Sequence, residues 1–279
     1  MKTLKHVIQL IALLTLMTSF IACQEDPDAP APPSLEEISK EAGVVHNAAM
    51  AYVRDYLEAE LAKVDPSTMT KDKFKSLAKE GCIGFLNEND YFEGNRSEAL
   101  DIFKGIWEDY GRATASAGTA MTPIEEYLKN STVLNSSQQT YALDVLLIIN
   151  NSTVPSGCYQ QLDSLFDLTQ ARLGETDGIP VMMGCGIGGA SYDYWFNNLD
   201  DWEVIGTLIG GRGSLPSGTS TRNDVGKADA GGAVGGAAAS VVTGCAELTA
   251  GVCAGVGAAA GGIASSIGKI VEVMWDHYF

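Results

Sequence analysis

From Gly231 to Gly268 the chain reads GGAVGGAAASVVTGCAELTAGVCAGVGAAAGGIASSIG, with Glu247 its sole charged residue. Small residues recur every fourth position through Ala228, Gly232, Gly236, Ser240 and Gly244, and again through Ala254, Ala258, Gly262 and Ser266. Each row occupies one face of a helix and lets another backbone approach closely, which matters most in lipid, where packing rather than water exclusion draws helices together. Two such rows interleaved with Val and Ile carry more weight than a single GxxxG match. The segment reads as a membrane-active tail, 228–279, whose packing positions are Gly232, Gly236, Gly244, Gly251, Gly255 and Gly262.

Length then divides the tail in two. A continuous helix from Ala230 to Gly268 would run roughly 58 Å at 1.5 Å per residue, nearly twice a hydrocarbon core of about 30 Å. Glu247 at mid-membrane would cost on the order of 2.5–3.5 kcal/mol, whereas a turn at Glu247 to Thr249 leaves it at the surface. The expectation is a helical hairpin with arms Ala230 to Ala246 and Ala250 to about Val273. Cys245 and Cys253 would lie about 12 Å apart on unbroken helix, too far for a disulfide, but a turn brings them within reach, so they are a candidate pair. Trp275, Tyr278 and Phe279 at the end are aromatics of the kind that settle at membrane interfaces.

Charge restricts the partners. The formal net charge of −17 opposes nucleic-acid binding, which needs a basic surface to displace phosphate counterions. Beyond Arg222 the tail carries five carboxylates against Lys227 and Lys269, so simple attraction to anionic lipid is excluded as well. A receptor on the target or a lipid anchor has to concentrate such a tail at a membrane.

The N-terminus suggests that anchor. Lys2 and Lys5 precede an apolar run from Val7 to Met17, the layout of a secretory signal and too short for a spanning helix. Phe20, Ile21, Ala22 and Cys23 resemble a lipobox, and Gln24, Glu25 and Asp26 resemble the acidic surface-export signal of Bacteroidetes lipoproteins. This predicts a signal peptide over 1–22, lipidation at Cys23 and a Pro-rich tether over 23–33. Cys82, Cys158, Cys185, Cys245 and Cys253 remain in an exported, oxidising setting. Five is an odd number, so at least one is free or pairs between molecules.

Between tether and tail the pattern is helix after helix. Ser34 and Glu37 form a capping box, followed by apolar residues at three-and-four spacing from Leu35 to Tyr56. That helix should end near Val64, before Pro66. Further starts are expected at Asn95 with Glu98, at Thr122 with Pro123, and at Ser136 with Gln139, and further helices over 157–173 and 179–199. An all-α fold follows: an antiparallel helical domain over 34–208, then the Gly/Ala-rich hairpin. The connection over 209–227 is crowded with Gly, Ser, Thr and Pro and holds Arg212 and Arg222. Such composition predicts an exposed, mobile linker where an arginine-specific protease cuts.

Enzyme chemistry finds little support. His46 stands alone in the helical domain, with neither HExxH nor GxSxG present. A pairing of Cys158 with His46 has no local support. Gly184, Gly186 and Gly189 match a dinucleotide fingerprint formally, without the βαβ context that gives it meaning; close helix packing or a kink explains them better. The oxygen-rich stretch from Asn87 to Asn95 lacks the glycine a calcium loop needs at its sixth position. No catalytic residue, metal site or cofactor is expected.

The lipobox with its acidic start, the helical domain, the Arg-bearing loop and the Gly/Ala tail, in that order, resemble the proteolytically activated bacteriocin lipoproteins of Bacteroidales. That resemblance implies an antibacterial toxin displayed on the producer's outer membrane, activated by a clostripain-like, arginine-specific protease and released as a fragment toward a receptor on related bacteria. Arg212 and Arg222 are the positions that match the cleavage role. The tail is expected to self-associate through its small-residue faces. It is also similar to glycine-zipper segments of outer-membrane lipoproteins, which implies a structural or binding role instead.

Overall fold

The computed structural model describes residues 31–116, 123–211, 215, 219–243 and 249–279. The described residues contain no strand, and the protein is all-α. Residues 34–279 form one compact unit.

Ser34 starts the first helix, α1 (Leu35–Leu61), as a full capping box: its side chain accepts from the Glu37 N–H, and the Glu37 carboxylate accepts from the Ser34 N–H at 2.7 Å. The helix ends at Leu61, one turn before Val64. Next comes α2 (Lys71–Glu88), which the sequence pattern does not single out. Thr70 caps it, and Phe74, Ala78, Gly81, Cys82, Phe85 and Leu86 make its buried stripe. Three of those six are small, so the apolar signal is thin. Helix α3 (Arg96–Ser116) follows Asn95, and α4 (Pro123–Lys129) starts at the expected proline.

Helix α5 (Ser136–Asn151) is capped one residue earlier than expected. Asn135 caps it, accepting from the Ser137 and Gln138 N–H groups, while Gln138 reaches back to the Asn135 N–H at 2.8 Å. Asn135 with Gln138 satisfies the three-residue spacing as well as Ser136 with Gln139, and an Asn is an equally good cap. Helix α6 (Pro155–Asn198) joins the two segments expected at 157–173 and 179–199 across a kink at Gly174, whose φ of 77° and ψ of 174° suit glycine alone.

The short α7 (Glu203–Leu208) ends in a Schellman turn. The Gly211 N–H donates to the Gly206 carbonyl at 2.9 Å, the Gly210 N–H donates to Thr207 at 3.1 Å, and Gly210 supplies the positive φ of 94°. Helices α8 (Thr219–Thr243) and α9 (Ala250–Tyr278) complete the chain. Their connection, 244–248, lies outside the described residues, and with it Glu247 of the expected turn.

Two expectations change here. The linker placed at 209–227 is helical from Thr219 onward, and its first three residues belong to the α7 cap, with Ile209 fully buried. The tail placed at 228–279 is no appended module. Helix α9 touches α1, α2, α3, α6, α7 and α8, while α8 touches α3, α4, α5, α6 and α9. The apolar surface of α8 and α9 is covered by the other helices' stripes, since leaving so much of it in water is unfavourable.

Candidate functional site

The α8–α9 contact is built from backbone. A side-chain carbon at Gly232 would strike Ser265 and the Gly261 carbonyl, and one at Gly236 would strike the Gly257 carbonyl. Ser240 lies against Gly257. As residue numbers rise along α8 they fall along α9, so the two helices run antiparallel. Ala would not fit at either α8 glycine without separating the helices.

The other glycines marked for membrane packing face protein. Gly251 sits against Leu35 and Ile38, Gly255 against Ile38 and Tyr91, and Gly262 against His46 and Ile187. Gly244 lies outside the described residues. A third small-residue surface belongs to the second half of α6. A carbon at Gly184 would meet Val234 and one at Gly188 would meet Ala230 on α8, a carbon at Gly186 would strike Ser39 on α1, and one at Gly189 would strike the Tyr159 ring from the first half of α6. The formal dinucleotide match is therefore helix packing: each glycine removes a side chain where a neighbour passes.

One charged residue lies at the centre of this small-residue core. Asp229 of α8 is fully buried, and its Oδ2 accepts from the Ser191 hydroxyl and, at 2.8 Å, from the Trp195 indole N–H, both on α6. His46 of α1, also fully buried, places Nε2 at 3.7 Å from the same oxygen. Its Nδ1 meets Asn47 Oδ1 at 3.1 Å, and Asn47 in turn donates to the Ala190 carbonyl. From α9 the Ser266 hydroxyl donates to Met50 Sδ at 3.0 Å, and Asp229 Oδ1 has no hydrogen-bond partner among the described residues. Burial pushes the Asp229 carboxyl above the ordinary carboxylate range, with His46 and then the hydroxyl and indole donors pulling the other way. Sequence reading weighed His46 alone and missed Asp229; a lone Asp inside a Gly/Ala run was the available signal.

His46, Ser191 and Asp229 are the residue types of a hydrolytic triad, but their geometry differs from one. Ser191 donates to the carboxylate instead of to the imidazole, and none of the three side chains reaches solvent. The Cys158 thiol lies apart from this cluster beside Ser152, and burial raises its pKa. No group of three metal-ligating side chains occurs among the described residues.

Further contacts hold one end of the α8–α9 pair, where α8 starts and α9 finishes. At the start of α8, Arg222 lies over the Phe196 ring at 4.9 Å, Asn223 donates to the Asn150 carbonyl at 2.7 Å, and buried Lys227 donates to Asn150 Oδ1 at 3.1 Å. Arg222 thus stands on a helix and not in a loop, contrary to expectation. Thr221, Asn223 and Val225 around it are buried, which explains why this stretch winds up despite its linker-like composition. At the end of α9, the Tyr278 ring packs on Gly206 and Gly211, Lys71 pairs with Asp276 at 2.7 Å, and Trp275 stacks on Phe279.

Arg212, Cys23 and Cys245 lie outside the described residues. Cys253 is disulfide-bonded, to a partner that also lies outside them, while Cys82, Cys158 and Cys185 are free and buried. Comparison with known proteins finds no matching family model, no matching curated protein and no matching solved structure.

Proposed function

We propose that this protein is an antibacterial protoxin: a surface-displayed outer-membrane lipoprotein anchored through Cys23, activated by an arginine-specific, clostripain-like protease that cuts the linker. The released fragment acts on the envelope of related bacteria through α8 and α9 after reaching a receptor there. The observation that carries this reading is the burial of α9. It is the one helix among the described residues long and apolar enough to cross a membrane, and 89 % of its most apolar stretch is enclosed by the other helices. A membrane-active segment must be kept from water and from the producer's own bilayer until it is needed, and a shell of helices does both.

The test is growth inhibition of related strains by purified, unlipidated protein before and after arginine-specific proteolysis. Inhibition that appears only after cutting is the expected result. Clean cleavage without inhibition overturns the reading.

The same burial favours a second reading, a glycine-zipper lipoprotein with a structural or binding role in the envelope, in which α8 and α9 are simply the core. Stable envelope association with no processing and no killing would select it.

A further inference from the structure

The rows of small residues on α8 repeat at intervals of four. Sliding α8 by one turn, about 5.4 Å, would bring Ala228 to the place of Gly232 or Ser240 to the place of Gly236, where an added carbon meets α9, so close packing already disfavours the slip. The row that contains Asp229 adds a polar constraint. Four residues before it stands Val225 and four after it stands Ala233. Either slip places an apolar side chain against the Ser191 hydroxyl and the Trp195 indole N–H, leaves both donors buried without their acceptor, and takes the carboxylate away from both. A buried polar group without a partner is costly, and single buried polar residues are known to select one register among near-equivalent packings.

A cut in the linker leaves all of this in place. The donors are on α6, His46 is on α1, the Asn150 groups that hold Asn223 and Lys227 are on α5, and the cap that receives Tyr278 follows α7. All of these precede Arg212. We propose that residues 34–211 form a binding surface for the chain's own α8–α9 pair, keyed in register by Asp229, and that this surface retains the pair after the linker is cut. The nicked protein is then a stable two-chain complex, and activation requires a second event, extraction of α8–α9 by a membrane or receptor. This rests on the proposed function for the relevance of the cut, but retention itself is independent of killing.

The experiment starts from the full chain, cut by an arginine-specific protease. Should the linker resist, a recognition site for an unrelated protease inserted between Gly213 and Ser214 supplies the break. Size-exclusion chromatography of the nicked protein, followed by mass analysis under denaturing conditions, should give one native peak containing both fragments. Asp229→Leu should weaken fragment association on the order of tenfold or more, measured as fragment separation on dilution. Asp229→Asn, whose amide oxygen can accept from Trp195 and Ser191, should retain most of it. Should Asp229→Leu fail to fold, the double change Ser191→Ala with Trp195→Phe removes the same contacts from the other side. Spontaneous separation of the wild-type fragments, or retention unchanged by loss of the key contacts, overturns the proposal. A retained complex that never inhibits growth supports retention while counting against the protoxin reading.

Discussion

Asp229 concentrates the protein's buried electrostatics. Around it, α1 contributes His46, α6 contributes Ser191 and Trp195, and α9 contributes Ser266, so His46 is the titratable group that faces it. Because burial raises the Asp229 pKa, the folded protein holds this proton more tightly than the unfolded chain. The resulting stability is fully present below the ordinary carboxylate range, about pH 4, and is lost as pH rises through the raised value. Urea midpoints measured across pH should therefore fall on this account as pH rises from about 4, and Asp229→Asn should flatten that slope. Asp229→Ala should lower stability by on the order of 3 kcal/mol, because Trp195 and Ser191 lose their acceptor. The cysteines make a second residue-scale prediction. Burial pushes the Cys82, Cys158 and Cys185 thiols up, so none should react with a thiol reagent in the native protein, and all three should react in denaturant.

Among the elements, α8 and α9 are the pair whose geometry depends most on single atoms. Gly236→Ala places a carbon against the Gly257 carbonyl, a backbone atom that cannot step aside, and should destabilise by at least the roughly 1–3 kcal/mol typical of overpacking. Gly105→Ala on α3 is the contrasting control. Nothing lies near its added carbon, so it should stabilise by about 0.8–1 kcal/mol through helix propensity. Thermal unfolding of the two variants separates the effects. Helix also protects Arg222: cutting there requires the first turns of α8 to unwind from Phe196 and Asn150. Arg212→Ala alone should therefore abolish native cleavage, and Arg222→Ala should leave it unchanged, as read by mass analysis of the products.

For the whole molecule, the consequential feature is that the most membrane-like segment is also the centre of the fold. Its removal would strip α1, α3 and α6 of their common neighbour, so a simple detachable tail does not describe this chain. Cleavage and release become separable events, and the chromatography of nicked protein beside its growth inhibition distinguishes them.

Much of this was legible before any coordinates. The Ser34 capping box, the starts at Asn95 and Pro123, the absence of alternation and the close-packing rows in α8 and α9 are local signals, carried by hydrogen-bond chemistry and side-chain size within a few residues. The fourfold repeat of small residues determined that these helices would approach something closely. It could not determine what, because a lipid-embedded neighbour and a protein neighbour both require the same missing side chains. Tertiary structure decided that the neighbours are the other helices, α1 to α7, that the stretch from Thr219 to Lys227 is helix because Phe196 and Asn150 receive it, and that Asp229 has partners. Those partners lie 34 to 183 residues away in sequence, and only the folded chain brings them together.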